Sequence, residues 1–455
     1  MKKIKIGMFQ AMSQCSKYKK MNKKERVSLQ EARLRQMVEW ARVNSPSYAK
    51  LYKDIGTDYK LSDLSPVNKV GLMAHWDEWI TDRSITLSQV NEFMCDLDNI
   101  GRKFEKDYLV FTTSGSTGNP LIALCDSTTN NVMGAINAAR AFARKEDMTS
   151  YIKHGGKTIG VFATGGFYLG NSSVRSRLLM MPWKKKQMAV TSALLPTAQI
   201  VEELNTFQPA MLGGYPSNLE LLIEEQQCGR LHISPVLIMT GGEYLSDSLR
   251  NKLANTFNCY VQTSYSCTEG GTMACECMKQ HFHINDDWVI IEPVDKDNRA
   301  VPSGVQAEKI LLTNLFNFTQ PFIRYEVTDR IVLHDEPCGC GNLSPWLTLE
   351  GRTDDVVTFH QGENEIKLAP LAIYATLKEV HELRRFQFIA YDDNRAKLRL
   401  EPTDGNTRQE AFNKANAALS EFFLMHGLRD IVVSLSDEEP RQNAGSGKFK
   451  HVVRE

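Results

Sequence analysis

Hydroxyl residues and glycines crowd into one short stretch of the chain, Thr112-Thr113-Ser114-Gly115-Ser116-Thr117-Gly118-Asn119-Pro120. Small residues let successive backbone N–H groups turn toward an anion, and the hydroxyls of Thr112, Thr113, Ser114, Ser116 and Thr117 add donors. Such a loop suits a polyphosphate. It is not the GxxxxGK[ST] phosphate loop, because Asn119 and Pro120, rather than a lysine, follow Gly118. A Ser/Gly/Thr run on its own also describes an ordinary surface loop, so its weight comes from what stands downstream. Thr240-Gly241-Gly242-Glu243 and Tyr265-Ser266-Cys267-Thr268-Glu269-Gly270-Gly271 each set glycines and a carboxylate just past an apolar segment. Near the end, Gly445-Ser446-Gly447-Lys448 imitates a phosphate loop, but Phe449 stands where Ser or Thr is needed.

A second group of residues has the chemistry of a metal site. Cys277 and His283 stand six residues apart, and Cys338 and Cys340 flank one glycine. Three thiolates and an imidazole make a closed tetrahedral shell for a structural Zn²⁺, with Cys275 and His281 as competing ligands. The other reading is a set of unrelated buried cysteines.

Elements that could position these residues follow from the apolar pattern. Asn22 to Val43 suits a helix, with Leu34, Met37, Val38 and Ala41 at helical spacing, and the chain stays helical and polar to about Asp107. Beyond the hydroxyl loop, apolar strands at 157–163, 236–242 and 260–265 alternate with helices at 216–227 and 246–257. That alternation predicts βαβ units and a mostly parallel sheet, whose ligands bind outside the carboxyl ends of the strands. The hydroxyl loop, 164–170, 240–243 and 263–271 would then share one face. Residues 288–350 read as shorter strands, and a small α+β module follows. The expected fold is therefore α/β: a large body over 1–353, helical in 1–107 and β-rich in 288–350, with a small C-terminal α+β domain over 354–455.

Composition narrows the function classes. The 455 residues hold 54 Lys+Arg and 54 Asp+Glu, a formal net charge of zero, which argues against a general nucleic-acid or membrane-surface binder. The N-terminal lysines lack a long apolar core behind them, and no apolar run reaches bilayer length, so a cytoplasmic protein is expected. Ten cysteines in so long a chain do not form a disulfide framework.

Taken together, the motifs resemble those of the adenylate-forming superfamily, the ATP-dependent enzymes that activate carboxylic acids as acyl-adenylates, and within it the phenylacetate–CoA ligase and capsule-biosynthesis relatives. The resemblance runs from about Arg26 to the C-terminus. It implies that Ser114, Gly115, Ser116, Thr117 and Gly118 wrap the β- and γ-phosphates, and that Gly241, Gly242 and Glu243 line the adenine side. Tyr265 would stack on adenine, Thr268 would bond phosphate, and Glu269 would hold Mg²⁺. Arg324 to Arg330, RYEVTDR, stands where the family has Tyr-x-Thr-Gly-Asp, so Asp329 would take the ribose hydroxyls. In Gly351-Arg352-Thr353-Asp354-Asp355, Arg352 matches a nucleotide-contacting arginine and Asp354 the hinge. Lys448, in PRQNAGSGKFK (440–450), matches the catalytic lysine. The relatives carry a similar Cys-x₅-His and Cys-x-Cys pattern, which supports the zinc set.

The resemblance further implies a small carboxylic acid and ATP as substrates, CoA as thiol acceptor, and a homodimer, with no nucleic acid or membrane partner. A carrier-protein phosphopantetheine, or an amine, is the alternative acceptor. Phe167, Tyr168 and Tyr215 could face an aromatic or apolar acid, or could be core. The run Trp183-Lys184-Lys185-Lys186 could meet a CoA phosphate or be a solvated loop. Three positions depart from the family pattern: Ser266 and Thr328 replace glycines, and Leu121 replaces a lysine. Asn364 and Glu365 stand where many relatives carry a basic residue.

Overall fold

The computed structural model describes residues 3–113, 120–352, 357–361, 364–368, 370–392, 394–442 and 449–454. The chain divides into two compact units, one essentially Met1–Val327 with Ile331–Thr348, the other mainly Leu349–Ala444 with Lys448–Glu455.

The first unit opens with helices α1 (Met8–Tyr18), α2 (Lys23–Asn44), α3 (Pro46–Leu51), α4 (Lys69–Ala74), α5 (Trp76–Trp79) and α6 (Leu87–Met94). Local chemistry fixes where they begin. In α2, Asn22 accepts from the Glu25 N–H while Glu25 reaches back to the Asn22 N–H, a capping box that satisfies two orphan donors. Its apolar face, Leu34, Met37, Val38 and Ala41, is buried.

Strands β1 (Leu109–Thr112) and β2 (Ile122–Cys125) pair antiparallel as a separate two-stranded sheet, so the hydroxyl loop joins a hairpin. This corrects the expectation that it follows a strand of the parallel sheet. Both strands are short and buried, and periodicity does not distinguish an antiparallel from a parallel partner in so short an apolar run.

Helices α7 (Ser127–Arg140) and α8 (Lys145–Lys153) lead into β3 (Thr158–Phe162), α9 (Leu169–Met180), β4 (Met188–Ser192), α10 (Thr197–Phe207), β5 (Met211–Gly214), α11 (Pro216–Gln227), β6 (Leu237–Gly241), α12 (Asp247–Phe257) and β7 (Tyr260–Cys267). Strands β3 to β7 are mutually parallel, in the order β7-β6-β5-β3-β4. Such strands are covered on both faces, hence their near-continuous apolar runs. Ile159, Val161, Leu212, Ile238 and Val261 form one core with Leu204 of α10, Leu219 and Leu222 of α11 and Leu253 of α12.

The sheet continues antiparallel through β8 (Gly271–Glu276) and β9 (Phe282–Ile284). A three-stranded sheet, β10 (Val289–Val294), β11 (Lys309–Asn314) and β12 (Tyr325–Val327), follows. The chain then changes sheets at Thr328. Strands β13 (Asp329–His334) and β14 (Trp346–Arg352) complete the nine-stranded sheet beside β9.

In the second unit, β15 (Val357–Gln361) and β16 (Asn364–Leu368) form a hairpin. Helices α13 (Pro370–Lys378) and α14 (Arg408–Met425) cover the four-stranded sheet of β17 (Leu383–Asp392), β18 (Arg395–Pro402), β19 (Val432–Leu435) and β20 (Val452–Arg454). Its core is Phe359, Phe388, Leu398, Leu400, Ala415 and Leu419. No helix among the described residues is long and apolar enough to cross a membrane.

Candidate functional site

The register of the parallel strands defines a rim. Val161, Gly214, Thr240 and Thr263 are successive partners across β3, β5, β6 and β7, so the residues after them emerge side by side. These are Ala163–Tyr168, Tyr215, Gly241–Glu243 and, past Cys267, Thr268–Gly270. The hydroxyl hairpin, though it belongs to another sheet, meets the same rim: the Thr112 N–H donates to the Phe167 carbonyl at 2.8 Å. At its base, Leu121 N–H donates to Thr113 Oγ1 at 2.9 Å. Ser114, Gly115, Ser116, Thr117 and Gly118 themselves lie outside the described residues, as do Asp354 and Lys448.

Glu269 sits in the tight turn between β7 and β8. Gly271 closes that turn at φ +63°, where a Cβ would press on the Met133 side chain at 3.0 Å, so glycine is required. Burial leaves Glu269 only 9% exposed, with its Oε1 accepting the Tyr325 hydroxyl at 3.0 Å. Asn314 Nδ2 donates to the Glu269 carbonyl at 2.9 Å. Below the turn, Arg250 of α12 forks onto Glu276 of β8 at 3.0 and 2.6 Å, and Glu276 also accepts the Thr263 N–H at 2.8 Å. This buried bidentate pair clamps the hairpin that carries Glu269 to the helix layer. Sequence reading passed over both Tyr325 and Glu276 as site supports.

At the neighbouring strand ends, Glu243 accepts from the backbone N–H and hydroxyl of Ser217 at 3.0 and 3.1 Å, at the first turn of α11. Thr240 Oγ1, Asn171 Oδ1 and Asn218 Oδ1 are buried and have no hydrogen-bond partner among the described residues. The Asn171 amide is already fixed by the Thr164 and Gly166 carbonyls, so its carbonyl oxygen cannot be flipped for a donor. Phe167 is core, packed against Phe93 at 6.0 Å. Tyr215 is buried edge-on to Phe162, and burial pushes its hydroxyl up to about 12, so it is a neutral phenol at physiological pH. Tyr168 is half-buried at the start of α9, and Tyr265 is buried within β7. Asp329 begins β13, and Arg352 ends β14.

Cys277, His283, Cys338 and Cys340 converge, with their ligand atoms all within 4.8 Å of one another. His283 Nε2 lies 3.1 Å from Cys338 Sγ and 3.2 Å from Cys340 Sγ, and Cys277 Sγ lies 3.7 Å from Cys338 Sγ. A tetrahedron with metal–sulfur bonds of about 2.3 Å has sulfur–sulfur edges of roughly 3.8 Å, so the set has the right dimensions. The Lys279 and Asn342 N–H groups donate to Cys277 and Cys340 sulfurs at 3.4 Å, which favours thiolates. His283 Nδ1 is 2.8 Å from the Ser344 carbonyl, which fixes the tautomer that leaves Nε2 as the ligand atom. Burial and the Cys340 thiol, with Cys277 behind it, push Cys338 up to about 12: three sulfurs here need a cation to be charged together. The two competing ligands lie elsewhere. Cys275 is inside β8 with its thiol 3.8 Å from Asn285 Nδ2, and His281 is stacked flat on Trp346 at 3.9 Å.

No family model matches the chain. It is 24% identical over 377 residues to the phenylacetate-coenzyme A ligase of Thermus thermophilus, covering 78% of this chain and 76% of that protein. It is 21% identical to protein CapK of Staphylococcus aureus, over 68% of this chain and 63% of that protein's length. Among solved structures, 2-hydroxyisobutyryl-CoA ligase in the postadenylation state, in complex with R3-HIB-AMP, matches with a TM-score of 0.69. That match is 19% identical and covers 96% of this chain and 90% of the other. The same ligase in the thioesterification state, with 2-HIB-AMP and CoA, gives a TM-score of 0.57. Sequence similarity to these two proteins and the fold shared with the adenylate-bound ligase together support a relationship to the adenylate-forming superfamily.

Proposed function

We propose that the protein is an AMP-forming acid–thiol ligase. The observation that carries this reading is the aligned rim of β3, β5, β6 and β7, with a buried carboxylate, Glu269, held in its terminal turn by Tyr325. In the first half-reaction the substrate carboxylate oxygen attacks the α-phosphorus of ATP. The bond from that phosphorus to the bridging oxygen breaks, and pyrophosphate leaves with its electron pair. In the second, a thiol sulfur bonds to the acyl carbon, the bond from that carbon to the phosphate oxygen breaks, and AMP departs with its electron pair while the thiol's proton is released to solvent.

The residues divide that work. Ser114–Gly118 and Thr268 cradle the phosphates, and Glu269 is the residue that would hold Mg²⁺, which would supply positive charge beside the leaving pyrophosphate. Gly241, Gly242, Glu243 and Tyr265 receive adenine, and Asp329 and Arg352 receive the ribose and phosphate side. Lys448 delivers an ammonium between nucleophile and phosphorus, and Asp354 is the joint that withdraws it for thiol attack. Positioning and electrostatics, with no covalent enzyme intermediate, suffice for such chemistry. CoA is the acceptor proposed first, because named relatives are CoA ligases. The carboxylic acid itself is a small aryl or acyl acid. Cys277, His283, Cys338 and Cys340 hold a structural Zn²⁺: with four protein ligands no position is open for substrate.

The test is acid-dependent exchange of labelled pyrophosphate into ATP, run with a panel of carboxylic acids, and trapping of the adenylate by hydroxylamine. Discharge of the adenylate by CoA alone supports the CoA reading. Discharge only by a carrier protein moves the acceptor. Absence of exchange with every acid of the panel, from folded protein that still binds ATP, would overturn the proposal.

A further inference from the structure

Net neutrality conceals a strong local asymmetry. From Met148 to Val201 the chain contains no Asp or Glu, yet it holds Lys153, Lys157, Arg175, Arg177 and the run Lys184-Lys185-Lys186. This stretch builds β3, α9 and β4, and β4 is the outermost strand at that end of the sheet. Helix α9 carries the chain from the carboxyl end of β3 back to the start of the parallel strand β4, a length of about 18 Å for its twelve residues. The short helical turn Pro182–Lys186 therefore lies at the opposite end of the strands from the rim. The segment before β3 ends there too, because the Thr158 N–H donates to the Gln187 carbonyl at 2.8 Å. That position takes the lysine run away from the phosphate-binding rim, so it does not serve a substrate phosphate there.

Apolar side chains crowd the same corner, exposed. Trp183 is 73% exposed, Ile152 66%, Leu179 54% and Met180 50%. Among the described residues, no carboxylate pairs with Lys153, Lys184, Lys185 or Lys186. Leu179, Met180 and Trp183 stand together at the turn from α9 into the lysine run, and exposed apolar groups beside unpaired cations suit an anionic partner. We infer that this corner docks on an anionic lipid surface. Tryptophan sits at the headgroup level, leucine, methionine and isoleucine enter the acyl boundary, and lysine stems lie along the apolar surface with ammonium groups among the phosphates. The composition favours lipid over an acidic protein, since lysine is depleted at protein interfaces and here supplies the whole run Lys184-Lys185-Lys186 beside Trp183.

The test uses the full-length protein and sedimentation with vesicles of phosphatidylcholine containing 30% phosphatidylglycerol, against pure phosphatidylcholine, at low and high salt. Binding to the anionic vesicles alone, released by salt, is expected, with a blue shift of tryptophan fluorescence that Trp183→Phe abolishes. Each lysine near an anionic surface strengthens association roughly fivefold, so K184Q/K185Q/K186Q lowers the partition coefficient on the order of 100-fold. An unchanged melting temperature in that variant, which removes no ion pair among the described residues, separates lost docking from lost fold. No binding of wild type to anionic vesicles at low salt overturns the inference. So does equal binding by the triple variant, or capture of an acidic protein in place of the vesicles.

Discussion

Replacing Tyr325 by phenylalanine should weaken the site while leaving its frame intact. The ring is held by packing that the substitution preserves: it lies edge-on to Phe322 at 5.3 Å, and Phe322 lies edge-on to Trp79 at 5.0 Å. Trp79 is in turn tied by its indole N–H to the Pro321 carbonyl at 2.7 Å. What disappears is the hydroxyl donated to Glu269 Oε1 at 3.0 Å. A hydrogen bond to a charged group contributes about 1.5–3 kcal/mol, and here the acceptor is buried, so water does not replace the lost donor. If all of that energy serves to aim the carboxylate at a divalent cation, the apparent Mg²⁺ requirement rises by a factor of roughly 10 to 150, the range typical of groups that orient a metal ligand. Pyrophosphate exchange titrated with Mg²⁺ reads the shift at saturating acid, and binding of Mn²⁺ with ATP, followed by its paramagnetic signal, reads it without turnover. A purely structural hydroxyl would lower the melting temperature and leave the metal titration where it was. That outcome, in a wild-type protein that does exchange, would refute the reasoning without touching the ligase reading.

Three other perturbations follow from the same structure. Cys338→Ser, or prolonged chelation, should release one equivalent of zinc and destabilise the first unit, since structural zinc contributes on the order of 10 kcal/mol where it ties separate segments; metal analysis and a melting curve check it. Arg250→Ala strands the Glu276 carboxylate, whose pKa burial already raises, and should cost about 3–5 kcal/mol in chemical denaturation, with Arg250→Lys recovering only part. His451 packs among Phe386, Tyr374 and Phe449, and burial holds it down to about 4. Because the folded value lies below the unfolded value of about 6.5, its neutral form is the one folding favours. The second unit keeps that stability above about pH 6.5 and loses it as pH falls toward 4, by about 2 kcal/mol at pH 5; His451→Asn should flatten this part of the pH–stability curve.

What the sequence disclosed and what it withheld divide along one physical line. Features encoded in neighbouring residues were readable: apolar strands alternating with amphipathic helices gave a parallel sheet, and the glycines of EGG gave the turn that presents Glu269. Features that depend on pairing across the chain were not. The strands LVFT and IALC differ in no local property from parallel core strands, so their antiparallel pairing stayed hidden. Strand β4 followed a lysine run that masked it. The bond from Tyr325 to Glu269 joins positions 56 residues apart, and nothing local marks Tyr325 as the partner. The choice between Cys275 and Cys277 shows the boundary most sharply. Spacing to His283 admits either thiol, but Cys275 is locked inside β8, where strand hydrogen bonds fix its direction, with its thiol beside Asn285. Cys277 stands one residue past the strand, where its N–H bonds the His281 carbonyl and the backbone is free to turn. Opposite it, Gly339 and Gly341 adopt φ of +72° and +88°, left-handed conformations that fold the Cys338–Cys340 knuckle back on itself. A Cβ on Gly339 would meet only the mobile tip of Lys279 at 2.8 Å, so it is the left-handed backbone, rather than space, that calls for glycine in the knuckle facing the Cys277 turn. The ligand set is thus decided by where a strand ends and where a glycine sits, two backbone facts that ligand spacing alone does not contain.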